Sequence, residues 1–105
     1  MTYTEILKVP QDELKEIRQL LETGENFNGK FTEDDTITYS VVFHLNGYTA
    51  DIKVCGANED LPWTEMVLFD KNGSECTCTD VSEDFEGEWE LEYNGDIYKV
   101  LVVEK

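Results

Sequence analysis

Gly87-Glu88-Trp89-Glu90-Leu91-Glu92-Tyr93-Asn94-Gly95-Asp96-Ile97-Tyr98-Lys99-Val100-Leu101-Val102-Val103 alternates acidic with large apolar residues, breaks at Asn-Gly, and returns as a β-branched run. Side chains along a strand point alternately to opposite faces, so Trp89, Leu91 and Tyr93 turn to a core. Glu86, Glu88, Glu90 and Glu92 then form a carboxylate row on the other face. Asn94-Gly95 supplies the positive φ angles that a two-residue hairpin turn requires, and the pair of strands follows.

The same logic reads the middle of the chain. Ile37, Tyr39, Val41, Phe43 and Leu45 alternate up to Asn46-Gly47, and Tyr48, Ala50, Ile52 and Val54 alternate after it. A two-residue turn sets the register, pairing Leu45 with Tyr48, Phe43 with Ala50, Val41 with Ile52 and Tyr39 with Val54, so that one face is wholly apolar. The other face carries Thr38, Ser40, Val42, His44, Thr49, Asp51, Lys53 and Cys55. A third pair is expected around Asp70-Lys71-Asn72-Gly73, a turn sequence, with Leu68 set against Cys76 and Met66 against Cys78.

Ahead of these, Pro10-Gln11-Asp12-Glu13 has a helix-opening proline and early acids. Leu14, Ile17, Leu20 and Leu21 then share one helical face, and Gly24 offers a stop. Residues Met1 to Lys8 read as a short lead, and 24–35 and 56–62 as loops. The expectation is a single α+β domain over 1–105. Its amphipathic N-terminal helix, 10–23, packs on an antiparallel sheet of six strands in three hairpins, about 36–45, 48–55, 63–70, 74–80, 86–93 and 96–103. That sheet is strongly bent or partly closed into a barrel.

At 105 residues such a domain buries roughly two-thirds of its unfolded surface without disulfides or metal. No basic leader with an apolar run opens the chain and no window approaches a membrane span, so a cytoplasmic protein is expected. Cys55, Cys76 and Cys78 are an odd number of thiols and are expected to stay reduced. A zinc site joining them to His44 fails on geometry. In the register above, His44 and Cys55 stand six residue pairs apart, ~20 Å at ~3.3 Å per step, and C-x-C lacks the spacing of ordinary structural sites. The cysteines read as small buried thiols, and no cofactor or metal is expected. Glu33-Asp34-Asp35 and Asn58-Glu59-Asp60 lack the alternating ligands and glycine of a calcium loop.

Charge is the outlying property. Twenty-four acids against eight Lys and Arg give a net charge of −16, which repels nucleic acid and anionic membrane and attracts basic partners. Asp80, Glu83, Asp84, Glu86, Glu88, Glu90, Glu92 and Asp96 fall between Thr79 and Lys99 with no base among them. Glutamates two apart on a strand stand ~6.6 Å apart, close to two nucleotide rises of ~3.4 Å. These eight acids are therefore the candidate binding residues, and the row is suited to a groove built for phosphates. An exposed acidic strand face is equally an ordinary solubility device.

In size, acidity and α+β pattern, the chain resembles the small acidic proteins that bacteriophages and mobile elements encode against host defence, particularly anti-CRISPR proteins and other DNA mimics. That resemblance implies a non-catalytic inhibitor in the cytoplasm of a bacterial host, evading defence by occupying the DNA or RNA site of a basic enzyme such as an RNA-guided nuclease. Such families share no motif, so the resemblance assigns no residue a role. The alternatives are an immunity or antitoxin partner of a basic toxin, or a generic acidic interaction domain.

Overall fold

The computed structural model describes residues 1–23, 37–56 and 62–105. Among them lie one helix and seven strands: β1 (Thr2–Val9), α1 (Gln11–Thr23), β2 (Ile37–Leu45), β3 (Tyr48–Cys55), β4 (Trp63–Phe69), β5 (Glu75–Cys78), β6 (Gly87–Tyr93) and β7 (Asp96–Glu104). The class is α+β, but the strands form two sheets, ordered β1-β7-β6 and β2-β3-β4-β5, and no barrel closes.

Both Asn-Gly hairpins form in the expected register from their turns outward, except that β2–β3 shifts between Tyr39 and Ile37, which sets Ile37 against Cys55; Cys55, expected on the solvated face, is buried. Leu45 faces Tyr48, Phe43 faces Ala50, Val41 faces Ile52 and Tyr39 faces Val54. Tyr93 faces Asp96, and Leu91 faces Tyr98. Asn46 and Asn94 take φ of 54° and 51°, followed by Gly47 and Gly95 at 80° and 81°, the left-handed pair of a type I′ turn.

Three expectations need correction. The first eight residues do not form a lead. Thr2–Val9 instead form β1, which runs parallel to β7 with Tyr3 beside Tyr98 and Leu7 beside Val102. The sequence alternates there, with Tyr3, Leu7 and Val9 turned inward, yet its partner lies at the other end of the chain and no turn announces the pairing. Pro10 is the cap rather than the first helical residue, its carbonyl accepting from the Leu14 N–H at 2.9 Å.

The third hairpin keeps its expected register only at the turn. Asp70 Oδ1 accepts from the N–H groups of Asn72 and Ser74 at 2.8 and 3.0 Å, and Phe69 faces Glu75. A bulge follows, so Leu68 faces Thr77 and Val67 faces Cys78. Cys76 is the extra residue. It packs against the core, while Cys78 is carried to the opposite face and is exposed. One inserted residue reverses which face each later side chain takes.

After β5 the chain leaves this sheet in a defined way. Thr79 and Met66 exchange two bonds, Thr79 N–H to Met66 O at 2.9 Å and Met66 N–H to Thr79 Oγ1 at 3.0 Å. Thr64 and Ser82 then form an isolated bridge. Buried Phe85 passes the strand on to β6 in the other sheet, which is why six strands do not make one surface.

A single core joins the parts: Leu14, Ile17 and Leu20 of α1, Ile52, Val54, Met66 and Leu68 of one sheet, and Trp89, Leu91, Tyr98, Val100 and Val102 of the other. Tyr98 stacks on Tyr3 at 5.5 Å and meets Tyr48 edge-on at 5.6 Å. Asn46 Nδ2 donates to its hydroxyl at 3.1 Å. The turn of one hairpin thus docks on the inner face of the other.

Candidate functional site

Glu88, Glu90 and Glu92 are exposed on the outer face of β6, alternating with Trp89 and Leu91, which are buried. Three members of the expected row therefore share this face, while Glu86 precedes the strand, is half-buried and pairs with Arg18 of α1. The row's neighbours come from the segment between β5 and β6. Thr64, fully buried, donates its hydroxyl to Asp84 O at 2.7 Å, and Asp84 N–H donates to Ser82 Oγ at 3.1 Å. Phe85 turns inward, and its carbonyl accepts from Trp89 Nε1 at 2.9 Å. These bonds hold Asp84 and Glu86 outward on either side of a buried ring.

The result is a groove of about 470 Å³ lined by Thr79, Asp80, Ser82, Asp84, Glu86, Glu88, Trp89 and Glu90. Five of the eight candidate acids line it. Glu83 lies on a second groove, about 460 Å³, together with Asp84, Glu86, Glu22 and Arg18. Glu92 continues the row toward the turn. Asp96 belongs elsewhere: its carboxylate accepts from the terminal amine of Met1 at 2.9 Å.

The base-free run in the sequence is not base-free in space. Lys99 on β7 lies directly beside Glu90, and its Nζ sits 3.0 Å from Glu88 and 3.3 Å from Glu90. The hydrogen bond to Glu88, then that to Glu90, pushes its pKa above the ordinary lysine value. Arg18 of α1 pairs with Glu86. Both bases are partly exposed, so these pairs contribute little to stability. Their effect is to fix carboxylate positions and lower the local charge.

The outer face of this sheet also carries apolar residues. Beside the glutamates stand Ile97, Leu101 and Val103 of β7 and Ile6 of β1, with Ile6 54% and Val103 38% exposed. Ile6 faces Leu101, which faces Glu88. An apolar column therefore flanks the acidic one. The sequence reading missed this column, Lys99 and Arg18 because each depends on which strand or helix lies alongside. The alternation of Ile6 and Lys8 with Leu7 and Val9 was the available signal.

The cysteines and His44 do not converge. His44 faces Thr49 beside the turn, and Cys55 faces Ile37 at the far end. No group of three metal-ligating side chains occurs among the described residues. Glu33-Asp34-Asp35 and Asn58-Glu59-Asp60 lie outside the described residues, and no described helix is long and apolar enough to cross a membrane. The chain was compared with family models, curated proteins and solved structures, and none of them matches it.

Proposed function

We propose that this chain is a non-catalytic acidic inhibitor that binds a basic nucleic-acid-processing protein, such as an RNA-guided nuclease, and covers its DNA or RNA site. The observation that carries the reading is the groove between β6 and the 79–86 segment, lined by the five carboxylates of Asp80, Asp84, Glu86, Glu88 and Glu90, which outnumber the two bases, Lys99 and Arg18, that pair with three of them. Carboxylates spaced along a strand edge present charge to a basic channel much as phosphates do. Steering by a net charge of −16 raises the rate of encounter with a basic partner. The exposed apolar pair Ile6 and Val103 beside the row favours a second reading, an immunity-type partner shaped to one basic toxin, because apolar anchors serve a dedicated protein interface.

The test uses two variants of equal charge change. Glu88→Gln, Glu90→Gln and Glu92→Gln together remove the three charges of the row that β6 itself carries; Glu86, which precedes the strand, is kept so that its contact with Arg18 of α1 is undisturbed. Asp12→Asn, Glu75→Gln and Glu104→Gln remove three exposed charges from outside the groove. Inhibition of DNA binding is measured by gel shift for a panel of RNA-guided nucleases and other basic nucleic-acid enzymes. Wild type and the second variant should inhibit at least one, and the first variant should lose about tenfold or more in potency. That follows because a single close interfacial charge pair couples by about 1.5 kcal/mol or more. Equal losses would assign the effect to net charge, and inhibition of none would remove the reading.

A further inference from the structure

We infer that the partner engages this site by strand addition: an extended segment with Lys or Arg at alternate positions pairs with the free edge of β6. The inference rests on the reading of the acidic face as the site for a basic protein, and it names how that protein would be held. Among the described residues β6 is the terminal strand of its sheet and bonds to β7 alone; β4 and β5 of the other sheet come near it without pairing, and the 79–84 segment faces it across the groove.

The two-residue turn decides which backbone groups that edge exposes. Residues flanking such a turn, here Tyr93 and Asp96, exchange both ladder bonds, and along an antiparallel pair bonded and non-bonded couples alternate. Leu91 with Tyr98, Trp89 with Val100 and Gly87 with Val102 are therefore the bonded couples. Glu92, Glu90 and Glu88, facing Ile97, Lys99 and Leu101, turn their N–H and C=O groups away from β7. The Ile97 N–H agrees with this phase, since it donates across to Met1 O on the β1 side at 2.8 Å. Among the described residues, no turn or loop backbone group bonds to Glu88, Glu90 or Glu92.

The three residues that offer open ladder positions are thus the three that carry the exposed carboxylates. Asp80, Asp84 and Ser82 line the groove that this edge borders. A strand laid there places every second side chain on the outer face, ~4.5–5.5 Å between Cβ atoms from Glu88, Glu90 or Glu92. Charge selects the occupant: like charges directly opposite are destabilising, so the edge rejects acidic strands, while Lys or Arg complements it. Charged residues on edges also protect against indiscriminate pairing. Here the protection is of one sign, which makes the edge selective rather than closed.

The probe is a ten-residue peptide alternating Lys and Thr, titrated into the full ¹⁵N-labelled chain. A second peptide has the same sequence with N-methyl groups on the amides that would face β6. The methylated peptide keeps its charge and cannot donate to the ladder. Strand addition predicts slowed amide exchange at Glu88, Glu90 and Glu92 with the first peptide. It also predicts binding about tenfold or more weaker with the second, since two or more backbone bonds are lost. Equal affinities, with shifts confined to the glutamate side chains, would overturn strand addition and leave the acidic site standing. Absence of binding by either peptide at low salt would overturn both readings. The protein is unaltered in every arm, so failure to fold does not enter.

Discussion

The β2–β3 and β6–β7 hairpins are built alike and present different surfaces. Each turns through Asn-Gly with φ near 50° and 80°, and each alternates so that one face is buried. Their inner faces meet through Tyr48, Tyr93 and Tyr98, with the Tyr48 and Tyr93 rings 5.8 Å apart. Their outer faces diverge. β2–β3 shows Ser40, Val42, His44, Asp51 and Lys53, mixed in sign, with Lys53 3.6 Å from Glu65 across the sheet. β6–β7 sorts its outer residues into a glutamate column and an apolar column around Lys99. The turn and inner face are under the same physical constraint in both hairpins, and the outer face is where a hairpin is free to differ.

The largest effect expected is on the shared part. Trp89→Ala empties a site only 7% exposed and should cost about 3–5 kcal/mol, and Ile52→Ala, fully buried in the other hairpin, about 2–5 kcal/mol. Urea denaturation measures both. A loss below about 1 kcal/mol from either, within the range of surface substitutions, would break the claim that both inner faces feed one core. Trp89→Ala should also disturb the groove it lines, whereas Ile52→Ala should destabilise without altering the acidic face.

The two turns should respond equally and more weakly. Gly47→Ala and Gly95→Ala each place a side chain at φ near +80° with open space around the new methyl group, so only the left-handed backbone resists, at about 1–2 kcal/mol apiece. Unequal denaturation midpoints would sharpen the comparison by showing that one turn carries contacts the other lacks.

Alkaline pH should weaken both hairpins. Burial, followed by Glu13, raises Tyr39 above its ordinary 10.0, and burial chiefly raises Cys55 above 9.0. In the other hairpin, burial raises Tyr98, a bond to Cys76 raises Tyr93, and Glu88 raises Lys99. All five groups hold their protons more tightly when folded. Their contribution is complete below the unfolded values and is lost as pH climbs through the folded ones. The denaturation midpoint should therefore fall from pH ~8 to pH ~11. A flat profile would show that these groups meet the same surroundings folded and unfolded. Tyr39→Phe should remove part of the fall from the β2–β3 side only.

Much of this was legible in the residues. Alternation and Asn-Gly turns specify both hairpins and their registers near the turns because the information is local: a type I′ turn admits one pairing, and a misregistered strand would expose its apolar face; the shift between Tyr39 and Ile37, far from the turn, was not legible. The stripe of Leu14, Ile17, Leu20 and Leu21 specifies α1 for the same reason. The glutamate row is a direct consequence of a period of two. The Cys76 bulge was not legible, since the turn at Asp70 points to an unbroken register and the shift depends on how Thr79 and Thr64 tie the following segment to β4.

By itself, then, the sequence determined the helix, the two hairpins and the side of β6 on which Glu88, Glu90 and Glu92 stand. Tertiary structure decided what surrounds them. Parallel pairing of β1 with β7 brought Ile6 beside Leu101, docking of α1 brought Arg18 to Glu86, and the Thr64–Ser82 bridge brought Asp80 and Asp84 to the edge of β6. These contacts join residues far apart in the chain. A local pattern records the face on which a residue lies, and the packing of distant segments against one another decides which residues become its neighbours.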